Sequence, residues 1–422
     1  MGGSPVHARM RVNRPMMSYA GKEEIMSKEI QRAVRMTQRW NVFRPLIEAG
    51  LSPAEIKTSI IQILSPYFKD QSLLKEYAVE LIPGEAFRVA RIKKDSWTAL
   101  AFDHVTSIYR SAEAVNPEAC YKACAESEKD ILAAASNHWS QLYLEIDKAE
   151  LPLEEFRHEV FRNIGALIES YLFPHLRDLL AQNRLKRGKK PEYSQISRLK
   201  LGNVVNELHS SISMPEIVAP PPWGIHLNQW RNIAQHHRSC VREELVYGYY
   251  GEAPNEREIR LTRGELWDVL QKTYAICELI NTARTLFVID NIKRIEAYFS
   301  EDLTLRQDAF ILSFATSIAT QGFELADLQL NAESAIATVV EVSDEPPKER
   351  RIHASQFVYP LWCQLKKDTV IVKYFDKEGS LRMTAKANSA DCRRIADGEI
   401  PFSELASLVE LEIDGKAVPR KH

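Results

Sequence analysis

One short stretch holds the side chains best suited to chemistry: Leu227-Asn228-Gln229-Trp230-Arg231-Asn232-Ile233-Ala234-Gln235-His236-His237. Asn232 and His236 are four residues apart and would share one face of a helix. Arg231 lies about 100° away around the axis, yet its side chain is long enough to reach a phosphate held at that face. Together they offer an imidazole, a fixed cation and an amide, with no carboxylate in the stretch. That set suits metal-independent cleavage of RNA, in which the 2′-OH attacks its own adjacent phosphate. An imidazole titrating near neutrality can take up or deliver the proton. A guanidinium can hold the phosphate through two hydrogen bonds and stabilise charge that builds on it, and the amide can orient either group. DNA lacks the 2′-OH, so the expected substrate is RNA. Acid and base are both needed, and two copies facing across a two-fold axis would supply a pair, so a homodimer is expected. His237 meets a spacing one residue longer, and the sequence leaves open which histidine acts.

The elements that would position this stretch read as helices. Leu153 to Leu172 carries Val160, Ile164, Leu167, Ile168, Tyr171 and Leu172 on one stripe. Pro174 kinks or restarts that helix. A basic loop, Arg184 to Lys190, follows, and then a shorter helix from about Tyr193 to Leu208. A break at Pro215 and Pro220-Pro221-Pro222 precedes the helix that opens near Leu227. Tyr247 to Gly251 reads as a loop, and Thr262 caps a long helix beyond it. Arg184, Lys186, Arg187, Lys189 and Lys190 could guide an RNA backbone. Arg238 and Arg242 follow the motif at helical spacing and could extend a phosphate track. Tyr247, Tyr249 and Tyr250 could stack on bases or serve as core and interface aromatics. Trp223 and Trp230 read as packing residues, and His209 and His226 show no metal-ligand pattern.

At these residues the chain resembles the HEPN family (higher eukaryote and prokaryote nucleotide-binding), marked by Arg, a polar residue, a few residues and then His. Arg231, Asn232 and His236 match that pattern in order. Arg198-Leu199-Lys200-Leu201-Gly202-Asn203-Val204-Val205 is similar to the helix that commonly precedes the motif. The resemblance covers about Leu151 to Arg294. It implies a helical bundle that dimerises, a composite site, and an endoribonuclease of the kind used in bacterial toxin and anti-phage systems. It implies no cofactor and no metal. Some family members have lost catalysis and act as nucleotide-binding or dimerisation modules, which is the alternative reading.

Around that bundle the chain reads as a mainly α protein with smaller α+β flanking domains. The expected divisions are a tail (1–26), a small α+β domain (27–112), a connecting helix (113–150), the bundle (151–300) and a C-terminal α+β domain (301–422). In the first domain, Ser52-Pro53-Ala54-Glu55 is a capping box. Tyr77 to Ile82 and Ala86 to Ile92 read as strands around Pro83-Gly84. Helices followed by a hairpin would allow a winged-helix DNA-binding regulator as a second alternative. Asn116-Pro117-Glu118 opens the connecting helix, drawn to about Lys148. Near the C-terminus, Val370 to Phe375 and Ser380 to Ala387 form a hairpin around Asp376-Lys377-Glu378-Gly379. Ala390 to Ala396 reads as a short helix.

Bulk properties set outer bounds. The 422 residues carry a net charge of −2, 45% apolar and 27% charged residues. Any nucleic-acid site is therefore a local patch and not a whole-protein field. Of six cysteines only Cys120 and Cys124 are close together, and a zinc site would show a second pair. Scattered cysteines and the lack of an apolar run of about 20 residues fit a cytoplasmic protein off the membrane. A toxic nuclease would need an inhibitor or a trigger, and nothing in the flanking regions names one.

Overall fold

The structure is a computed structural model that describes residues 19–142, 151–252, 254–299 and 307–418. The protein is mainly α-helical, with one three-stranded and one six-stranded sheet among the described residues. It divides into two compact units. One comprises residues 66–70 and 87–300; the other comprises 1–65, 71–86 and 301–422.

The first unit is built on helices Ser96–Val115, Pro117–Leu142, Leu153–Ala166, Phe173–Lys186 and Arg263–Asp290. Asp95 caps the first of these, accepting from the Thr98 N–H. Asn116 separates it from the next, where its side chain accepts the Ala119 N–H at 3.0 Å. The expected connecting helix is thus a bundle member that follows a distinct break, and residues 143–150 lie outside the described part. Thr262 and Glu265 form a reciprocal capping box at the start of helix Arg263–Asp290. Between Leu153–Ala166 and Phe173–Lys186 the chain winds as a π-helix over Leu167–Leu172. Pro174 has no N–H to donate and would crowd the carbonyl four residues back; a wider turn ahead of it relieves both demands.

A buried polar network ties four of these helices together. Asp178 is fully buried. It accepts from Tyr109 at 2.6 Å, Ser127 at 2.7 Å and the Arg284 Nε at 3.2 Å. Arg284 reaches on to Glu128 at 2.6 Å and to the Cys124 carbonyl at 3.1 Å. Burial opposes the Arg284 charge, but Glu128 and Asp178 outweigh it and hold the guanidinium firmly protonated.

Residues 239–261 depart from the expected all-helical bundle. They form an antiparallel sheet of β1 (Ser239–Arg242), β2 (Leu245–Tyr250) and β3 (Arg257–Leu261), in which Cys240 pairs with Tyr247 and Tyr247 with Arg260. The Tyr/Gly-rich run is β2. Tyr247 and Tyr249 are half-buried on one face of it, while Val246 and Gly248 are buried on the other.

The second unit is centred on a six-stranded sheet: β4 (Phe323–Leu330), β5 (Ser334–Glu341), β6 (Thr369–Phe375), β7 (Leu381–Asn388), β8 (Glu410–Ile413) and β9 (Lys416–Val418), lying side by side in chain order. Only β5 and β6 are parallel, and helices Pro347–Ser355 and Val358–Leu365 make the crossover between them. The expected hairpin is β6–β7, with Phe375 opposite Leu381 and Gly379 at φ +78°. The expected short helix is Ser389–Ala396. Alternate residues Ala335, Ala337, Val339, Val370, Val372 and Tyr374 enter one core with Leu361, Trp362 and Phe314.

The N-terminal α+β domain is not found. Within 27–112 every described element is helical. The two expected strands lie in helices Gln71–Tyr77 and Pro83–Ile92 and the short link between them. Pro83-Gly84 opens the second helix instead of turning a hairpin, and Ala86, Val89 and Ile92 are buried at helical spacing. Helix Tyr19–Arg39 already includes residues 19–26 of the expected tail; residues 1–18 lie outside the described part. Ile30, Ala33 and Val34 of that helix belong to the sheet unit's core. Gln31 donates to Asp327 at 2.6 Å, and Arg44 pairs with Glu324 at 2.7 Å. Residues 27–65 thus fold with the C-terminal sheet, while 87–112 fold with the helices.

One titratable group in the sheet unit gives a pH prediction. His353 bonds Gln321 through Nε2 and meets Phe323 edge-on at 5.4 Å. Burial, then Arg350, pushes its pKa down to about 4, against a partial pull from Glu341. The unfolded imidazole takes a proton near pH 6.5, so between about pH 6.5 and 4 the unfolded chain holds more protons. Stability from this group is therefore full above pH 6.5 and falls as the pH drops, by up to about 3 kcal/mol. Urea unfolding of the sheet unit at pH 7.5, 6 and 5 will show this loss, and His353→Gln will flatten it.

Candidate functional site

The motif helix is Leu227–Gln235. Leu227, Trp230 and Ile233 are fully buried at i, i+3 and i+6, which fixes its rotation and turns Arg231, Asn232 and Gln235 away from the core. Trp223 meets Trp230 edge-on at 5.9 Å, a packing role for both. Gly248 of β2 lies beneath Ile233; a Cβ there would come within 3.4 Å of the Ile233 side chain. Gln229 accepts the Gly251 N–H at 3.0 Å, so helix and sheet are fastened at both ends.

The helix stops one residue short of the histidines. The His236 N–H donates to the Asn232 carbonyl at 3.0 Å, and the Arg238 N–H returns to Ile233 at 3.1 Å. His237 sits between them in the left-handed region at φ +51°. For a residue with a side chain this costs about 1 kcal/mol or more. Both histidines are exposed at the end of the helix. His236 therefore caps the helix, and its N–H bond to the Asn232 carbonyl keeps it one turn above Asn232.

Arg231 does have a carboxylate beside it, contrary to the reading of the stretch alone. Its Nε donates to Glu169 at 2.6 Å and its Nη1 to Asn232 Oδ1 at 3.2 Å. Glu169 comes from the π-helical stretch Leu167–Leu172. Asn232 thus orients the guanidinium through its side chain.

A cleft of about 370 Å³ opens between helix Leu153–Ala166 and the end of the motif helix, and neither Arg231 nor Glu169 lines it. Its polar lining includes Arg157, His158, Arg162 and Ser170 from one side, and His237 and Ser239 from the other. His236 lies outside it. Arg231 is one helical turn from Ala234 and Gln235, which also line the cleft. The rings of His158 and His237 are parallel within 6°, with centroids 6.2 Å apart. Arg157 donates to Ser239 Oγ at 2.7 Å and its carbonyl at 3.2 Å, and pairs with Glu154. Arg162 pairs with Glu159.

The helix Leu153–Ala166 approaches the motif helix closely because of Gly165, where a Cβ would stand 3.0 Å from the Ala234 Cβ. Gly165→Val forces the two apart. It should cost about 1–3 kcal/mol and spread the cleft, which a thermal melt and an RNA-cleavage assay on the same sample will register together.

The other expected contacts are distributed differently. Arg238 lies just before β1 and Arg242 ends it, not on a continuing helix, because the chain reverses at His237. Arg238 is held by the Gly251 carbonyl at 2.9 Å and by Glu256. Arg242 is exposed, 5.5 Å from the Tyr247 ring. Arg184 makes a two-bond pair with Glu207, at 2.8 and 2.6 Å, that raises its own pKa and lowers that of the carboxylate. Lys186 is half-buried; Arg187, Lys189 and Lys190 are exposed around Gly188. His209 and His226 have rings 4.4 Å apart. Among the described residues no three His, Cys, Asp or Glu side chains converge as a metal site, and no helix is long and apolar enough to cross a membrane.

His158, Arg162 and Glu169 were not singled out by the sequence. They occupy the polar side of a stretch whose apolar stripe alone carried the signal, and their relevance depends on a helix about 65 residues further along. No protein-family model, curated protein or solved structure matches the chain.

Proposed function

We propose that the helical unit is a metal-independent endoribonuclease of the HEPN type, cleaving RNA by 2′-OH transesterification to leave a 2′,3′-cyclic phosphate and a 5′-OH. The observation that carries this reading is a cleft whose wall holds an exposed motif histidine, His237, with the Arg231 guanidinium, fixed by Glu169 and Asn232, one helical turn from the lining residues Ala234 and Gln235. The guanidinium supplies transition-state charge stabilisation and the imidazole supplies proton transfer. The motif resemblance supports the biological class, a toxin or abortive-infection effector acting on RNA, and pairing of two copies through the helical unit.

The test is cleavage of total RNA in the presence of EDTA by wild type, Arg231→Ala, His236→Ala and His237→Ala, each shown to be folded. Arg231→Ala should lose about 10²–10³-fold in rate, and at least one histidine variant should fall as far. Cleavage that persists in all three variants would sink the site. One observation favours a second reading: Glu169 already neutralises Arg231, as suits a non-catalytic nucleotide-binding module. That reading gains if the wild type leaves RNA intact while nucleotide binding depends on Arg231.

A further inference from the structure

We infer that His158 and His237 of one chain form the acid–base pair of this site, and that the scissile phosphodiester lies in the cleft between them. The inference rests on the ribonuclease reading and deepens it by naming the second proton-transfer group and choosing His237 over His236.

The geometry is specific. In-line displacement at phosphorus needs one group at the attacking 2′ oxygen and another at the departing 5′ oxygen, on opposite sides of the phosphate. Two hydrogen bonds of about 2.8 Å with the reacting oxygens between them place the two ring nitrogens roughly 6–9 Å apart. The His158 and His237 ring centroids are 6.2 Å apart with planes parallel within 6°, and rotation of these two exposed side chains sets which nitrogens face the phosphate between them. Both line the same cleft, and its volume of about 370 Å³ admits a nucleotide phosphate with part of its sugar. The backbone that carries each imidazole is set by its surroundings. His237 is set by the left-handed residue it occupies at the helix end. His158 rides on a helix pinned to the start of β1 through Arg157 and Ser239. Arg162, half-exposed on the same wall, faces the path of the flanking backbone phosphates.

In the step, the neutral imidazole takes the 2′-OH proton as the 2′ oxygen bonds to phosphorus. The P–O5′ bond breaks, and the protonated imidazole gives its proton to the departing oxygen. The products carry a 2′,3′-cyclic phosphate and a 5′-OH, and the enzyme is left with the two proton positions exchanged. A second copy of the chain is not needed to complete the pair.

A leaving-group comparison tests this. His158→Ala, His158→Gln and His237→Ala are assayed on RNA and on uridine 3′-(p-nitrophenyl phosphate), whose leaving group departs without a proton. RNA cleavage should fall about 10²–10⁴-fold in each variant. The activated ester should restore the variants at one of the two positions, identifying the acid, and leave the other impaired. Wild-type cleavage of RNA by both His158 variants would overturn the pair, as would equal loss on both substrates at both positions. Mixing His158→Ala with His237→Ala protein should recover nothing; recovery would place the pair across two chains and refute the single-chain site. If the wild type cleaves neither substrate, the ribonuclease reading fails on its own. The cleft is then judged by titrating uridine 3′-monophosphate against the ring resonances of both histidines. Joint shifts would retain it as a phosphate site, and unmoved rings would reject that too.

Discussion

Asp178→Ala will destabilise the helical unit by about 3–5 kcal/mol, more than most core truncations of similar size. The volume lost is small. What matters is that Arg284, 3% exposed, keeps a charge that one of its two carboxylate partners no longer meets. Glu128 remains at 2.6 Å and Ser127 keeps the Cys124 carbonyl at 3.0 Å, but Tyr109 loses its acceptor, and that unmet buried hydroxyl adds to the loss. Asp178→Asn separates the causes, since it preserves shape and some hydrogen bonding while removing charge. The double variant Asp178→Leu/Arg284→Met should recover most of the stability, because a buried ion pair is often no better than packed apolar residues. The chain has two units, so a single unfolding midpoint is an unsafe readout. Hydrogen exchange over Arg263–Asp290 will assign the change, and unchanged protection there in Asp178→Ala would show that the network contributes little.

Glu341→Ala will do comparable damage in the sheet unit, again about 3–5 kcal/mol. Glu341 ends β5 and receives Arg350 through two bonds, at 2.7 and 3.0 Å. It also accepts from Ser343 Oγ at 2.6 Å and Tyr374 at 3.0 Å. Arg350 is 1% exposed, lies 3.6 Å above the centre of the Phe323 ring and donates to the Gln321 carbonyl at 2.6 Å. The pair therefore joins β5, β6 and the turn before β4 to the first crossover helix. Gly322 belongs to the same arrangement: at φ +83°, a Cβ there would come within 3.0 Å of the guanidinium. Protease protection of the β4–β7 region should collapse in Glu341→Ala and survive better in Glu341→Gln. Equal protection in wild type and Glu341→Ala would contradict the assignment.

The motif could be located from sequence because its members lie within a few residues and need only one helix to come together. Capping chemistry was equally local: Ser52 with Glu55 and Thr262 with Glu265 form the reciprocal boxes that their spacing implies. The β6–β7 hairpin followed from alternation around a glycine turn. Signals failed where the cause lay far along the chain. Gly248 and its neighbouring tyrosines looked like a loop, yet the glycine sits in β2 where a Cβ would crowd Ile259 of the paired β3 at 3.2 Å. Pro83-Gly84 suits both a turn and a helix start, and burial of Val89 and Ile92 decided for the helix. Glu169 and His158 were two polar residues on an amphipathic helix until the motif helix was laid against it. An amphipathic stripe says that a face is covered without saying by what, which is why the sequence groups residues 27–65 with 66–112 and not with the C-terminal sheet.

The interleaved order of the two units has a consequence for how the protein is made. The sheet unit draws residues from both sides of the helical unit, so its parts leave the ribosome separately. The roughly 215 residues between 86 and 301 take roughly 10–45 s to translate at ordinary rates. Throughout that interval the Ile30, Ala33 and Val34 face of the first helix has no sheet to cover it. The helical unit can close in the meantime, whereas the N-terminal segments of the nascent chain wait with apolar surface open to chaperones and to other chains.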